Sequence, residues 1–567
     1  MNIKALLEKD LKETLRKSFQ LDVKDVSVAR PADTKFSDYT SNIAFLLAKE
    51  IKKTPFEIAL KIASSFPKRK EYLNVDAQNG FVNMFFSDSF YQQEIAKIFQ
   101  EKENYAKTDD GKKKTVVIDY SAPNIGKPMG AGHLRSTIIG RAIYNLHTFF
   151  GWKVIGDNHV GDWGTQFGKV LYAYKVWGDP KKVKENSTKE LFDLYVRFTK
   201  EAKENDELND KAREEFRKLE TGDTENRTLW KMFVTQNLKD FDKIYKVLGV
   251  SFEETLGESF YEEKLPGVIK EVLEKKVAKK DPDGSVVVDL EDENLGKALI
   301  QKKDGATLYM TRDIATYEYR IERFHPDKIL YVIGRDQGLY LKQLFRIVER
   351  LGYKGVEVHH IDFGLLRLEG KRMATREGRT IFLEQVLSDA INRAKAITKE
   401  KNRDLTPKEQ DEVAQHIGVG AVKYNDLSQN RVSDIDFDWE RMLNIQGNSA
   451  PYLQYTHARA CSVIEKAGKK GESFDISALE ATSERTLMRK LPLFEEVIWE
   501  AYTRYLPNLL ANYLFDLSQT FNVFYNNEPI LTAPQDLRSA RLALTVSVAQ
   551  LLENGLAILG IKAPRKM

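Results

Sequence analysis

Two segments of this 567-residue chain carry residue types suited to handling a polyphosphate. The first runs Ser121-Ala122-Pro123-Asn124-Ile125-Gly126-Lys127-Pro128-Met129-Gly130-Ala131-Gly132-His133-Leu134-Arg135-Ser136. Its three glycines let backbone approach a ligand closely, and a helix opening at its end offers unpaired N–H groups and a partial positive charge. Lys127 adds a mobile cation, and His133 adds a donor in the helix's first turn. The second segment, Lys371-Arg372-Met373-Ala374-Thr375-Arg376-Glu377-Gly378-Arg379-Thr380, puts four cations in nine positions around a glycine. That pattern suits a loop closing on phosphates. Each has a plainer reading: a tight strand-to-helix loop with a satisfied histidine, and a solvated basic loop. Familiar fingerprints do not apply. Gly364 to Arg372 has five residues between its glycines and Arg372 where a magnesium-holding Ser or Thr is required, and Gly130-Ala131-Gly132 lacks the third glycine of a dinucleotide site.

The elements around these segments predict a parallel sheet. Thr115-Val116-Val117-Ile118-Asp119-Tyr120 is a β-branched run, followed by the Pro/Gly-rich loop, a helix from His133 to about Phe150 and a strand at Trp152-Lys153-Val154-Ile155. The same texture returns at Lys328–Ile333 and Val356–Ile361. Near-continuous apolar strands alternating with helices bury both faces of a sheet, and its carboxyl edge is the usual place for a nucleotide. A charged, mainly helical stretch at about 178–290 reads as an insertion splitting this domain, here taken as 111–405. Residues 1–110 mix helical pattern with short apolar strands, as in an α+β domain. From 406 to 567 nearly everything is helical in pattern.

Composition excludes other classes. Hydrophobic residues make up 42% and charged residues 30%, a globular balance that rules out disorder and simple coiled coils. The net charge, 88 − 84 = +4, is too balanced to advertise nucleic acid by itself. One cysteine, Cys461, excludes an internal disulfide framework and a cysteine-cluster zinc site, and no metal-ligating set is assigned. Acids near the N-terminus argue against a targeting peptide. Leu542–Ile561, interrupted by Gln550, Glu553 and Asn554, reads as a buried helix rather than a membrane span. A cytoplasmic protein is expected.

Taken together, the chain resembles class I aminoacyl-tRNA synthetases, specifically the arginyl-tRNA synthetases, over essentially its whole length. The match is carried by Asp119–Asn124 through His133–Gly140, by Gly161-Asp162-Trp163-Gly164-Thr165-Gln166-Phe167-Gly168, and by Ala450-Pro451-Tyr452-Leu453-Gln454-Tyr455-Thr456-His457-Ala458-Arg459. Runs of this length are far more specific than a four-letter motif. The resemblance implies a Rossmann-like α/β catalytic domain with a helical insertion, an extra N-terminal α+β domain that touches tRNA, and a C-terminal all-α anticodon-binding bundle. It implies ligation of L-arginine to tRNA-Arg with ATP and magnesium, through an arginyl-adenylate formed only with tRNA bound, by a monomer.

The resemblance also implies residue roles. Lys127, His133, Arg372 and Arg376 would stabilise the reacting phosphates, and Gly130, Gly132, His133, Phe363, Gly364 and Met373 would line the ATP site. Gly130 replaces the first histidine of the family's H-x-G-H, a loss worth roughly 10²–10³ in rate when nothing substitutes for it. Arg372-Met373-Ala374-Thr375-Arg376 stands for K-M-S-K-S, and Lys127 occupies the place of the lysine that compensates in arginyl enzymes. Asp119, Asn124, His159, Tyr309, Asp313 and Gln337 would hold arginine. Tyr309 and Asp313 lie one helical turn apart, so both face one pocket. Two carboxylates and a ring suit a planar guanidinium, which lysine cannot imitate. Two alternatives stay open: a sibling synthetase or nucleotidylyltransferase with another acceptor, and a tRNA-binding paralogue without catalysis.

Overall fold

Val116, Val117 and Ile118 are fully buried, so the strand Thr115–Asp119 (β1) has no polar face and takes an inner place in its sheet. A computed structural model describes residues 3–31, 37–368, 371–372, 382–401, 405–468 and 473–567. With Lys153–Asp157 (β2), Lys328–Tyr331 (β3) and Glu357–His360 (β4), β1 forms a parallel sheet of order β4-β3-β1-β2. The register pairs Asp119 with both Asp157 and Tyr331, so three strands finish level. The chain leaves β1 to one side for β2 and returns on the other for β3. Strand order therefore reverses beside β1, and that reversal opens a crevice at the carboxyl ends.

Helix Ala131–Phe149 (α1) makes the first crossover. The insertion supplies helices through Thr224–Leu248 (α2) and Leu265–Glu274. Beyond them it is not helical. Lys279–Lys280, Val286–Leu290 and Gly296–Gln301 form an antiparallel sheet, its first hairpin closed at Asp281–Gly284. Tyr309–Phe324 (α3) and Gly338–Arg350 (α4) then cover the parallel sheet, with Ile314, Tyr317, Leu341 and Ile347 packed in one core with Val117 and Ile329.

The chain divides into two compact units, 108–444 with 558–561 and 1–107 with 445–557 and 562–567. Helix Pro407–Leu427 (α5) lies in the first, whereas its helical pattern had placed it with the C-terminal bundle. Its whole C-terminal half is buried, and a Cβ on Gly418 would lie 2.7 Å from the backbone of Ile391 in the preceding helix. The second unit joins the two ends of the chain. Its antiparallel sheet of Tyr39–Ser41, Phe81–Phe86 and Tyr72–Gln78 shares the unit with C-terminal helices, and Arg30 and Tyr39 both donate to Glu496 (2.9 and 2.6 Å). Tyr513, Phe521 and Phe524 are core, while Tyr525 is exposed. Leu542 to Leu556 line the buried side of helix Gln535–Ile558. Among the described residues no helix is long and apolar enough to cross a membrane.

Candidate active site

Immediately after β1, Ser121 and Ala122 both take left-handed backbone angles (φ 78° and 45°). Such residues cost on the order of 1–3 kcal/mol each and persist only where neighbours hold them. Here Ser121 N–H donates to Ser136 Oγ (2.9 Å) and Ala122 N–H to Asn158 Oδ1 (3.1 Å). The Ser121 hydroxyl also meets Thr137 Oγ1 and the Tyr245 hydroxyl of α2, each at 2.8 Å. The turn carries the chain away from the strand end. It next pairs with Gly161, so closely that a Cβ there would lie 2.2 Å from Asn124 Oδ1. Farther on, Gly126 N–H donates to Asn237 Oδ1 (3.0 Å), and Lys127 Nζ lies 5.3 Å from the Tyr195 ring centre.

At the start of α1, Gly130 N–H donates to His133 Nδ1 (3.1 Å). Burial lowers the His133 pKa, and the charge of Lys127 acts the same way. With Nδ1 accepting from Gly130, the ring's proton belongs on Nε2, a donor for an anion. A Cβ on Gly132 would meet nothing within 4 Å, which leaves the helix N-terminus open above it.

Across the crevice stands a cluster of acids. Asp313, one turn into α3, accepts a hydrogen bond from the Tyr340 hydroxyl, and its Oδ1 lies 4.0 Å from His159 Nε2. Burial raises its pKa. Tyr309, at the first position of α3, is 60% exposed. Neither ring nitrogen of His159 has a hydrogen-bond partner, although both are buried. Asp119 accepts from Arg320 (2.7 Å), which also donates to Asp157 (2.8 Å).

Glu258 was not legible in the sequence. Its Oε2 is buried without a partner, and desolvation pushes its pKa to about 8 against the pull of Arg312. The close packing of Gly257 on Asp162, where a Cβ would sit 2.2 Å from the carboxylate, sets the backbone beside it. Ser259 donates to Asp162 from N–H and hydroxyl (2.8 and 2.6 Å). Only the spacing of Arg320, seven residues after Asp313 on one helix face, could have pointed to that arginine.

The structure thus brings Asp119, His159 and Asp313 together at the carboxyl end of the sheet, with Tyr309 one turn before Asp313 on α3 and Asn124 on the loop beside Gly161. Gln337 is exposed in the turn before α4. Phe363 and Gly364 have packing roles: the Arg135 guanidinium lies 5.7 Å over the Phe363 ring, and a Cβ on Gly364 would lie 2.4 Å from Ser433 O. Met373 and Arg376 lie outside the described residues, as does the side chain of Arg372. Its backbone pairs with Leu366–Leu368.

The sequence matches three families in tandem: the arginyl tRNA synthetase N terminal domain over residues 2–86, tRNA synthetases class I (R), catalytic domain, over 94–439, and the DALR anticodon binding domain over 453–567. It is 42% identical over 540 residues to an arginine–tRNA ligase of Clostridioides difficile, covering 95% of each chain. It is 43% identical over 526 residues to that of Exiguobacterium sibiricum, covering 92% of each. Among solved structures, Thermus thermophilus arginyl-tRNA synthetase superposes with a TM-score of 0.86 at 25% identity, over 100% of both chains. The Plasmodium falciparum enzyme gives 0.84 at 26%, over 100% of this chain and 99% of that one. Matches that run the length of the chain, on a parallel sheet whose reversal point faces an open helix N-terminus and a cluster of acids, have one meaning: the chain belongs to the arginyl-tRNA synthetases of class I.

Proposed function

We propose that this chain is an arginine–tRNA ligase and that the crevice beside β1 is where arginine and ATP react. The observation that carries the reading is the pairing of three carboxylates, Asp119, Asp313 and Glu258, with the ring of Tyr309 opposite the N-terminus of α1. A planar guanidinium donates to carboxylates bidentately and stacks on a ring, whereas a neutral side chain brings no charge to balance the acids. Asn124, His159 and Gln337 would hold the rest of the amino acid.

The arginine carboxylate attacks the α-phosphorus of ATP. One P–O bond forms, the bond to the β-phosphate oxygen breaks, and pyrophosphate leaves with the electron pair. Lys127 and the Nε2–H of His133 meet the charge that builds on phosphate oxygens, with Arg372 and Arg376 as further cations. Gly130, which replaces a histidine donor, supplies the N–H that sets the His133 tautomer. The arginyl group then passes to the 2′-hydroxyl of the terminal adenosine of tRNA-Arg, releasing AMP. Among the described residues no group of three or more His, Cys, Asp or Glu is placed to hold a metal ion. Magnesium belongs with the ATP phosphates, which it neutralises when bound.

Within the second unit, a cavity of about 760 Å³ between C-terminal helices suits the tRNA. Tyr455 and Tyr525 are 43% and 37% exposed there, and the Arg459 guanidinium lies 4.8 and 4.9 Å from their ring centres. Lys466, Arg565 and Lys566 ring the same space. Exposed rings framed by cations are what unpaired bases need. The N-terminal segment would add tRNA contacts of its own. A monomer in the reducing cytoplasm fits this use.

The test is arginine-dependent ATP–pyrophosphate exchange with and without tRNA, with lysine as control. Exchange only with arginine and tRNA together is expected. If tRNA binds and no exchange appears at any arginine concentration, the chain is a non-catalytic tRNA-binding relative. A pH series tests Glu258. Its carboxyl ionises near 8, and only the ionised form attracts a guanidinium, so the KM for arginine should fall as pH rises from 7 to 9. Glu258→Gln should abolish that trend and raise the KM about tenfold at pH 9. A KM flat with pH in the parent would remove Glu258 from the site.

A further inference from the structure

We propose that Arg320 and Asp157 are positioning residues for arginine binding: with Asp119 they form a buried triad of net charge −1 that holds one Asp119 oxygen and offers a fixed negative charge to a cationic group of the amino acid. The proposal rests on the reading that Asp119 meets arginine.

The geometry is that of a fork. Arg320 is 1% exposed, and it donates from one terminal nitrogen to Asp119 Oδ2 (2.7 Å) and from Nε to Asp157 Oδ2 (2.8 Å). The same terminal nitrogen lies 2.8 Å from Asp157 Oδ2. The partners end neighbouring strands at one register level, and the Tyr331 ring that closes β3 lies 5.3 Å from the guanidinium carbon. Sealed in this way, Arg320 touches no substrate. What it sets is the place of Asp119 and the distance between β1 and α3. Because α3 also carries Tyr309 and Asp313, one ion cluster keeps both walls of the pocket in register.

Asp157 explains the charge count. An Asp119–Arg320 pair alone sums to zero and would have little net attraction for a cation. Adding Asp157 gives −1 + 1 − 1 = −1. The arrangement is poor for stability, since Asp157 Oδ1 is buried without a partner and burial raises the Asp157 pKa. Packing of the sheet alone gives no reason to keep an acid with one oxygen unpaired, since an apolar residue of similar volume would serve it as well or better. An acid left half-satisfied beside a site for a cation is accounted for by the charge it adds.

The test compares D119N, D157N, R320K, R320Q and R320Q/D157N in the full chain, measuring aminoacylation with tRNA and the melting temperature. D157N, nearly isosteric, should raise the KM for arginine about tenfold. Its KM for ATP should stay within about twofold, and its melting temperature should be unchanged or higher. R320Q leaves Asp119 unheld beside a second acid and should raise the arginine KM about a hundredfold; R320K keeps the charge but cannot bridge both acids, so it should raise the KM by less. Adding D157N to R320Q removes the repulsion between two adjacent buried acids and should bring the KM part of the way back, a rescue that additive structural damage cannot produce. The inference is overturned if D119N raises the arginine KM while D157N leaves it within about twofold. Should D119N itself leave that KM unchanged, the underlying reading of Asp119 fails instead. If R320Q does not fold, D157N and R320K decide the matter.

Discussion

Asp313→Ala is expected to lower kcat/KM for arginine by about 10²–10³-fold while the KM for ATP stays within about threefold. Asp313 and Tyr309 lie one turn apart at the start of α3, and the Tyr340 hydroxyl donates to the Asp313 carboxylate from α4. Truncation would strand a desolvated guanidinium and leave the Tyr340 hydroxyl without its acceptor, so two losses add to the missing charge. Asp313→Asn keeps an acceptor for Tyr340 and removes only the charge, so it should fall between the parent and the alanine variant. Because burial already raises the Asp313 pKa, losing that carboxyl costs the fold little beyond the Tyr340 hydrogen bond, and the melting temperature should fall only slightly. Steady-state aminoacylation at saturating ATP and tRNA reads the effect. Equal losses for arginine and ATP, or a large drop in melting temperature, would show that Asp313 supports the fold instead of reading the substrate.

The second large effect is on stability. Arg135 is fully buried in α1 and pairs with Asp426 of α5 (2.9 Å). It also donates to the carbonyls of Gly364 (2.7 Å), Ser433 (2.9 Å) and Arg431 (3.1 Å). Arg135→Met would strand a buried carboxylate and three carbonyls, at a cost of about 3–5 kcal/mol. The sign with pH follows from Asp426. Burial raises its pKa while Arg135 pulls it down, so without Arg135 it rises further. A carboxyl raised on folding costs nothing below its unfolded value and progressively more as pH climbs toward its folded one. The deficit should therefore be smaller at pH 5 than at pH 8 in urea unfolding. Replacing Asp426 by leucine in the same variant should recover part of it, since an apolar pair of similar volume suits that site better than a lone acid. A deficit independent of pH would mean that Asp426 is not the group left uncompensated.

Under the proposed mechanism, the altered first motif still leaves a donor and a cation for the phosphates. The N–H of Gly130 needs no side chain to hold His133 Nδ1, so the remaining histidine is set as a donor by backbone alone. Lys127, fixed between the Asn124 turn and the Tyr195 ring, supplies a cation beside the same helix end.

Much of this protein is legible in its residue order, because periodicity and turn chemistry act over a few residues. The apolar run of β1, the loop that opens α1, the same-face spacing of Tyr309 and Asp313, and the buried side of helix Gln535–Ile558 all follow from local pattern. What local pattern cannot hold is which charge finds which partner. Arg320 meets acids 163 and 201 residues away, and Arg135 meets one 291 residues away. Glu258 is one acid among many until packing removes water from it. The helical pattern of α5 says that it buries a face and is silent on whose core receives it. Desolvation and long-range pairing are properties of the assembled core, and only there do Glu258, Asp157 and Arg320 acquire their chemistry.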